Sequence, residues 1–124
     1  MKAFTDIEQS NKLAEILPIE SADGFYEAQQ NPITGDWEDL LFVGNEWASE
    51  EVVIPAWSLA ALLSVLPSVI RRKGKRMFLT LEKAGAYNLY YKSKNRLDEL
   101  WETKEEPIDA CVEMIEILHK EKLI

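Results

Sequence analysis

Between residues 107 and 122 the polar residues Asp109, Glu113, Glu116 and Lys120 recur at spacings of 4, 3 and 4, a single stripe down a helix. Ile108, Cys111, Val112, Met114, Ile115, Ile117 and Leu118 fill almost every other position. A helix with so narrow a polar stripe has to be covered on most sides. The cover can be a sheet, another helix or a second copy of the chain. Pro107 suits the first turn, where a missing N–H costs nothing, and Asp109 suits the positive end of the helix dipole.

A sheet is available to it. Residues 76–82 and 86–92 alternate as a β-hairpin around the loop Lys83-Ala84-Gly85. With that loop Met77 faces Tyr91, Leu79 faces Leu89 and Leu81 faces Tyr87, while Thr80–Asn88 and Glu82–Ala86 share the other side. A loop one residue different in length would mix apolar and polar partners on both faces. Gly85 also falls where such loops need a left-handed residue. Phe78 and Tyr90 are left paired on the outer face, so that face is not fully solvated. Residues 98–103 supply a third, shorter strand.

Residues 5–17 read as a helix, with Thr5 and Glu8 as a capping box and Pro18 as the stop. Residues 24–29 and 37–43 read as a loose hairpin across Asn31-Pro32-Ile33-Thr34-Gly35-Asp36, a run dense in turn formers. Residues 45–51 form an acidic loop. Residues 56–66 make a second helix, started at Pro55 and stopped by Pro67, with only Ser58 and Ser64 polar. Apolar all round, it is expected at the centre of the core. The class is α+β. One domain, residues 1–124, carries an antiparallel sheet of about four strands with three helices mainly on one face, in the order α-β-β-α-β-β-α.

Charge is distributed unevenly. From Leu13 to Ile70 there are ten carboxylates and no Lys, Arg or His; from Arg71 onward 12 basic residues stand against 10 acidic ones. The net charge of −8 argues against broad nucleic-acid binding and against an anionic membrane surface. It suits a basic protein partner. No apolar run reaches the roughly 20 residues that span a bilayer. The polar N-terminal stretch is no signal peptide, and the single Cys111 permits no internal disulfide, so a cytoplasmic setting is expected.

Three segments are distinctive: Phe4-Thr5-Asp6-Ile7-Glu8-Gln9-Ser10 through Ser21-Ala22-Asp23, residues 54–67 and residues 106–115. They resemble a family of short uncharacterised proteins from phages and mobile elements of gut Bacteroides-type bacteria. The resemblance implies an origin and a cytosolic setting, and it carries no activity, cofactor or site residue.

Candidate chemistry is sparse. Cys111, on the apolar side of the last helix, has the commoner role of an inert buried thiol. His119 is the one imidazole. One His and one Cys make no structural zinc site, and no Gly-x-Ser-x-Gly elbow supports His119 as a base. No calcium loop accompanies Asp36, Glu38 and Asp39, and no motif calls for a cofactor or metal. Arg71, Arg72, Lys73, Lys75 and Arg76 surround Gly74 and form a weak anion-binding candidate, with Phe78 and Tyr90 as neighbours on which a base could stack. Their commoner role is a connecting loop that guards the next strand.

Trp57 is expected in the core, whereas Trp37 and Trp47 flank acidic loops. The leading expectation is a non-enzymatic protein that binds a partner through Trp37, Glu38, Asp39, Glu46, Trp47, Glu50 and Glu51. A mimic of nucleic-acid charge is one alternative. A small carboxylate-dependent hydrolase or transferase is another. A homodimer through the last helix is compatible with all three.

Overall fold

The structure is a computed structural model that describes residues 1–44, 53–94 and 100–124. Helix α1 (Ile7–Ala14) and a 3-10 turn (Ile19–Ser21) precede strands β1 (Gly24–Gln30), β2 (Trp37–Val43) and β3 (Ile54–Ala56). Helix α2 (Leu59–Val65) follows. Strands β4 (Val69–Arg72), β5 (Lys75–Ala84), β6 (Ala86–Lys92) and β7 (Leu100–Lys104) lead to α3 (Pro107–Lys120). The α+β class and the chain order expected from sequence hold. The strands divide into two antiparallel sheets, a three-stranded one in the order β2-β1-β3 and a four-stranded one in the order β4-β5-β6-β7.

Helix α3 is the centre of the molecule. It lies on β6 and β7 and touches both α1 and α2. Ile108, Cys111, Met114, Ile115 and Leu118 are fully buried, and they join Trp57, Leu62, Met77, Leu89 and Tyr91 in one core. Truncating any of these large side chains to Ala costs about 2–5 kcal/mol. The apolar width that raised a homodimer through this helix is thus taken up within the chain.

Four local expectations are corrected. Helix α1 is capped by Asp6, not Thr5: Asp6 accepts from the Gln9 N–H at 2.8 Å, and the Gln9 side chain accepts from the Asp6 N–H at 3.1 Å. Thr5 is instead buried, its hydroxyl 2.7 Å from that of Ser10 and 3.1 Å from the Trp57 N–H it accepts. Helix α2 begins at Leu59 because Ser58 caps it, and residues 54–56 are drawn into pairing with β1. Within that helix Leu62 alone is fully buried, so α2 is a surface helix with one face on the core. The central position belongs to α3, which has more apolar surface to cover.

The third correction concerns the β5–β6 register. Leu79 faces Tyr91, Leu81 faces Leu89 and Lys83 faces Tyr87, two residues away from the expected pairing. An even slip keeps every side chain on its expected face. Gly85, at φ 77°, makes the reversal. Met77 finds its partner in Ile70 of β4. Phe78 faces Lys92, and Tyr90 faces Thr80 on one side and Trp101 on the other, so Phe78 and Tyr90 share a face without being directly paired.

The expected connecting loop at Arg71–Arg76 is also a hairpin. Lys73 (φ 53°) and Gly74 (φ 76°) make a two-residue turn of the kind whose twist matches the flanking strands. Arg71 then faces Arg76, and Arg72 faces Lys75.

Candidate functional site

Strand β1 enters the body at Gly24, which is buried, and leaves it again. Its last three residues, Ala28, Gln29 and Gln30, are exposed. Strand β2 runs beside it for its whole length, from Trp37 opposite Gln30 to Val43 opposite Gly24. The turn between them is set by Asn31, whose Oδ1 accepts from the N–H groups of Ile33 and Thr34 at 2.8 and 3.3 Å. The result is an arm that projects from the core.

Strand β2 is the outer strand of its sheet, and among the described residues no strand pairs with its free edge. Every residue of it except Phe42 is exposed. Trp37 is 71% exposed and Val43 79%, with Leu40 and Leu41 also at the surface. Alternation puts Trp37, Asp39, Leu41 and Val43 on one face and Glu38, Leu40 and Phe42 on the other. Phe42 stacks on Phe25 across the strands at 5.3 Å, which stiffens the base of the arm.

Of the residues expected to bind a partner, Trp37, Glu38 and Asp39 therefore come together on β2. Glu46, Trp47, Glu50 and Glu51 lie outside the described residues. Leu41 and Val43 share the face of Trp37, Leu40 lies on that of Glu38, and none of the three was singled out from the sequence, since a half-apolar strand is ordinarily half buried. Glu38 and Asp39 point to opposite faces, so they do not converge as a pair of carboxylates would for acid–base work. Among the described residues no group of three or more His, Cys, Asp or Glu side chains is placed to hold a metal ion.

The basic cluster is divided between the two faces of the sheet. Arg71 and Arg76 project from the outer face of the four-stranded sheet, while Arg72 turns the other way and meets Glu121 at 3.0 Å. Trp57 is fully buried, and its indole N–H donates to Ser21 Oγ at 2.9 Å. Cys111 is fully buried, and burial pushes its thiol up to about 12. A thiol so raised is protonated at neutral pH and is no nucleophile. His119 is exposed and lies beside Lys12, Glu15, Ile16 and Glu116 around a shallow cleft of about 390 Å³. Burial, with Glu113 nearby, raises the Glu102 carboxyl on the helix-facing side of β7.

Among the described residues no helix is long and apolar enough to cross a membrane. No family model matches the chain, and no curated protein or solved structure matches it.

Proposed function

We propose that the protein is a non-enzymatic accessory protein of a phage or mobile element, acting in the cytoplasm by binding a basic protein partner along β2. The observation that carries this reading is an edge strand with six of seven residues exposed, bearing Trp37, Leu40, Leu41 and Val43 beside Glu38 and Asp39. An open edge offers a row of backbone N–H and C=O groups that a soluble protein ordinarily blunts. An extended segment of a partner satisfies that row by adding a strand, and alternate side chains supply specificity. Trp37 provides a large anchor of the type enriched at binding hot spots. The carboxylates select a basic segment and speed its encounter.

The test is capture by the tagged protein from nuclease-treated lysate of a Bacteroides-type host, at low and high salt. The expected result is one stoichiometric, salt-sensitive partner that is lost with Trp37→Ala and with the pair Glu38→Lys and Asp39→Lys. Capture of the same partner, with unchanged salt dependence, by all of these variants contradicts the proposal.

A further inference from the structure

We infer that the outer face of the four-stranded sheet is a stacking platform for single-stranded nucleic acid. Register places Arg71 of β4, Arg76 and Phe78 of β5, Tyr90 and Lys92 of β6, and Trp101 of β7 on this face. The helices cover the opposite face. Two large rings are left open here, Trp101 at 45% exposure and Phe78 at 48%.

Trp101 is held in one orientation. One side of its indole stacks on Tyr90 at 4.3 Å with an interplanar angle of 8°. Its N–H donates to Thr103 Oγ1 at 2.8 Å, and Thr103 in turn bonds Asn88 Oδ1 at 2.8 Å. With the donor occupied and one side of the ring covered, what Trp101 presents to a ligand is the remaining flat π surface. An indole fixed in this way loses little freedom when a planar group stacks on it.

Cations are interleaved with the rings. The Arg76 guanidinium lies 5.7 Å from the centre of the Phe78 ring, and the Lys92 ammonium lies 5.5 Å from that of Tyr90. Beside Phe78 a cleft of about 420 Å³ is lined by Lys75, Arg76, Ser93 and Lys94 and by no carboxylate among the described residues. Among the described residues Glu82 is the one carboxylate that register places on the face, and it accepts from the Tyr90 hydroxyl at 3.3 Å. The Cα positions of Phe78 and Trp101 are separated by two strand spacings and a two-residue offset, about 12 Å.

Flat rings so spaced, with Lys92 between them and Arg76 beside Phe78, complement a chain of planar bases on an anionic backbone. A duplex, whose bases face inward, offers nothing to stack. The chain-wide charge of −8 arises from residues 13–70, whose acidic strand pair belongs to the other sheet, so the local field here is basic against an acidic whole.

The experiment is fluorescence anisotropy of a dye-labelled oligothymidylate at low salt, with an unlabelled duplex of equal length as competitor. The expected result is saturable binding that the duplex competes for poorly. Trp101→Ala and Phe78→Ala should each weaken it about tenfold, the scale of one lost stacking contact. Trp101→Phe, which keeps a ring on Tyr90, should restore most of the affinity. Phe78→Ala removes an exposed ring, and its unchanged thermal unfolding separates lost stacking from lost fold. Three results overturn the inference: no saturable binding; binding matched by the duplex and unchanged in both alanine variants, which is general polyanion attraction; or self-association that Trp101→Ala abolishes while the oligothymidylate does not bind.

Discussion

The Lys2 ammonium lies 2.8 Å from Asp109 Oδ1, which ties the start of the chain to the first turn of α3. Gln9 donates to the same oxygen at 2.7 Å. Burial raises the Asp109 carboxyl, but the bonds from Lys2 and Gln9 outweigh it and hold the group below its ordinary value. The bond to Asp109 is also the largest cause that raises Lys2, against desolvation. A depressed carboxyl contributes stability above its unfolded value and loses it as pH falls through the folded one; a raised ammonium loses its contribution as pH rises through its folded value. Asp109→Asn is expected to cost about 1 kcal/mol at neutral pH, as a partly exposed pair should. In urea titrations the gap from the unsubstituted protein should close on acidification below the carboxylate range.

Thr5 sits where the N-terminal segment meets the core. Its hydroxyl accepts the Trp57 N–H and contacts Ser10, and its own N–H donates to the Trp57 carbonyl at 2.9 Å. Thr5→Val preserves shape and strands a buried N–H. The expected loss is about 1–3 kcal/mol. Thr5→Ser, which retains the acceptor, should lose less. Denaturant midpoints of the two variants compare them directly.

Gly24 is the point at which the β2 arm joins the body. A Cβ there would stand 2.6 Å from Phe4 Cε1 and 3.1 Å from the Phe42 carbonyl oxygen. The Phe4 ring can shift, whereas the Phe42 carbonyl belongs to a paired strand. Gly24→Ala is expected to cost about 1–3 kcal/mol through overpacking. A lowered thermal midpoint with the arm's exchange protection also reduced would register it.

Cys111 provides a probe of global opening. Its burial and raised value, about 12, make the native thiol unreactive near neutral pH. Alkylation by iodoacetamide should be negligible in the folded protein and rapid in denaturant. Its rate in intermediate denaturant should follow the fraction unfolded.

The elements that sequence foretold are those whose periodicity admits one answer. The stripe at Asp109, Glu113, Glu116 and Lys120 placed α3 and its coverage, and the alternation of Met77, Leu79 and Leu81 placed one face of β5 on the core. Register was less legible, because a slip of two leaves every face unchanged and alternation cannot detect it. In the structure the reversal at Gly85 brings Ala84 opposite Ala86, and Met77 pairs with Ile70 of β4 instead of with β6. Strand β4 was hidden because its short apolar start, Val69-Ile70, runs straight into Arg71 and Arg72. The start of α2 and its place in the core were misjudged, since composition reports how apolar a segment is, not where Ser58 and the β1–β3 pairing will start the helix. At the proposed partner surface, Trp37 and its carboxylates were visible as residues. The open edge of β2 was not, because an edge is a property of topology. Trp101 went unremarked for the same reason: its stack on Tyr90 exists only once β6 and β7 are in register.

Strand addition at β2 is tested most directly by amide hydrogen exchange across Trp37–Val43, measured in the free protein and in the complex with the captured partner. The account predicts that the β2 amides pointing away from β1 exchange readily in the free protein and become protected in the complex. Unchanged exchange throughout β2, with the partner stoichiometrically bound, would contradict it and place the contact elsewhere on the molecule.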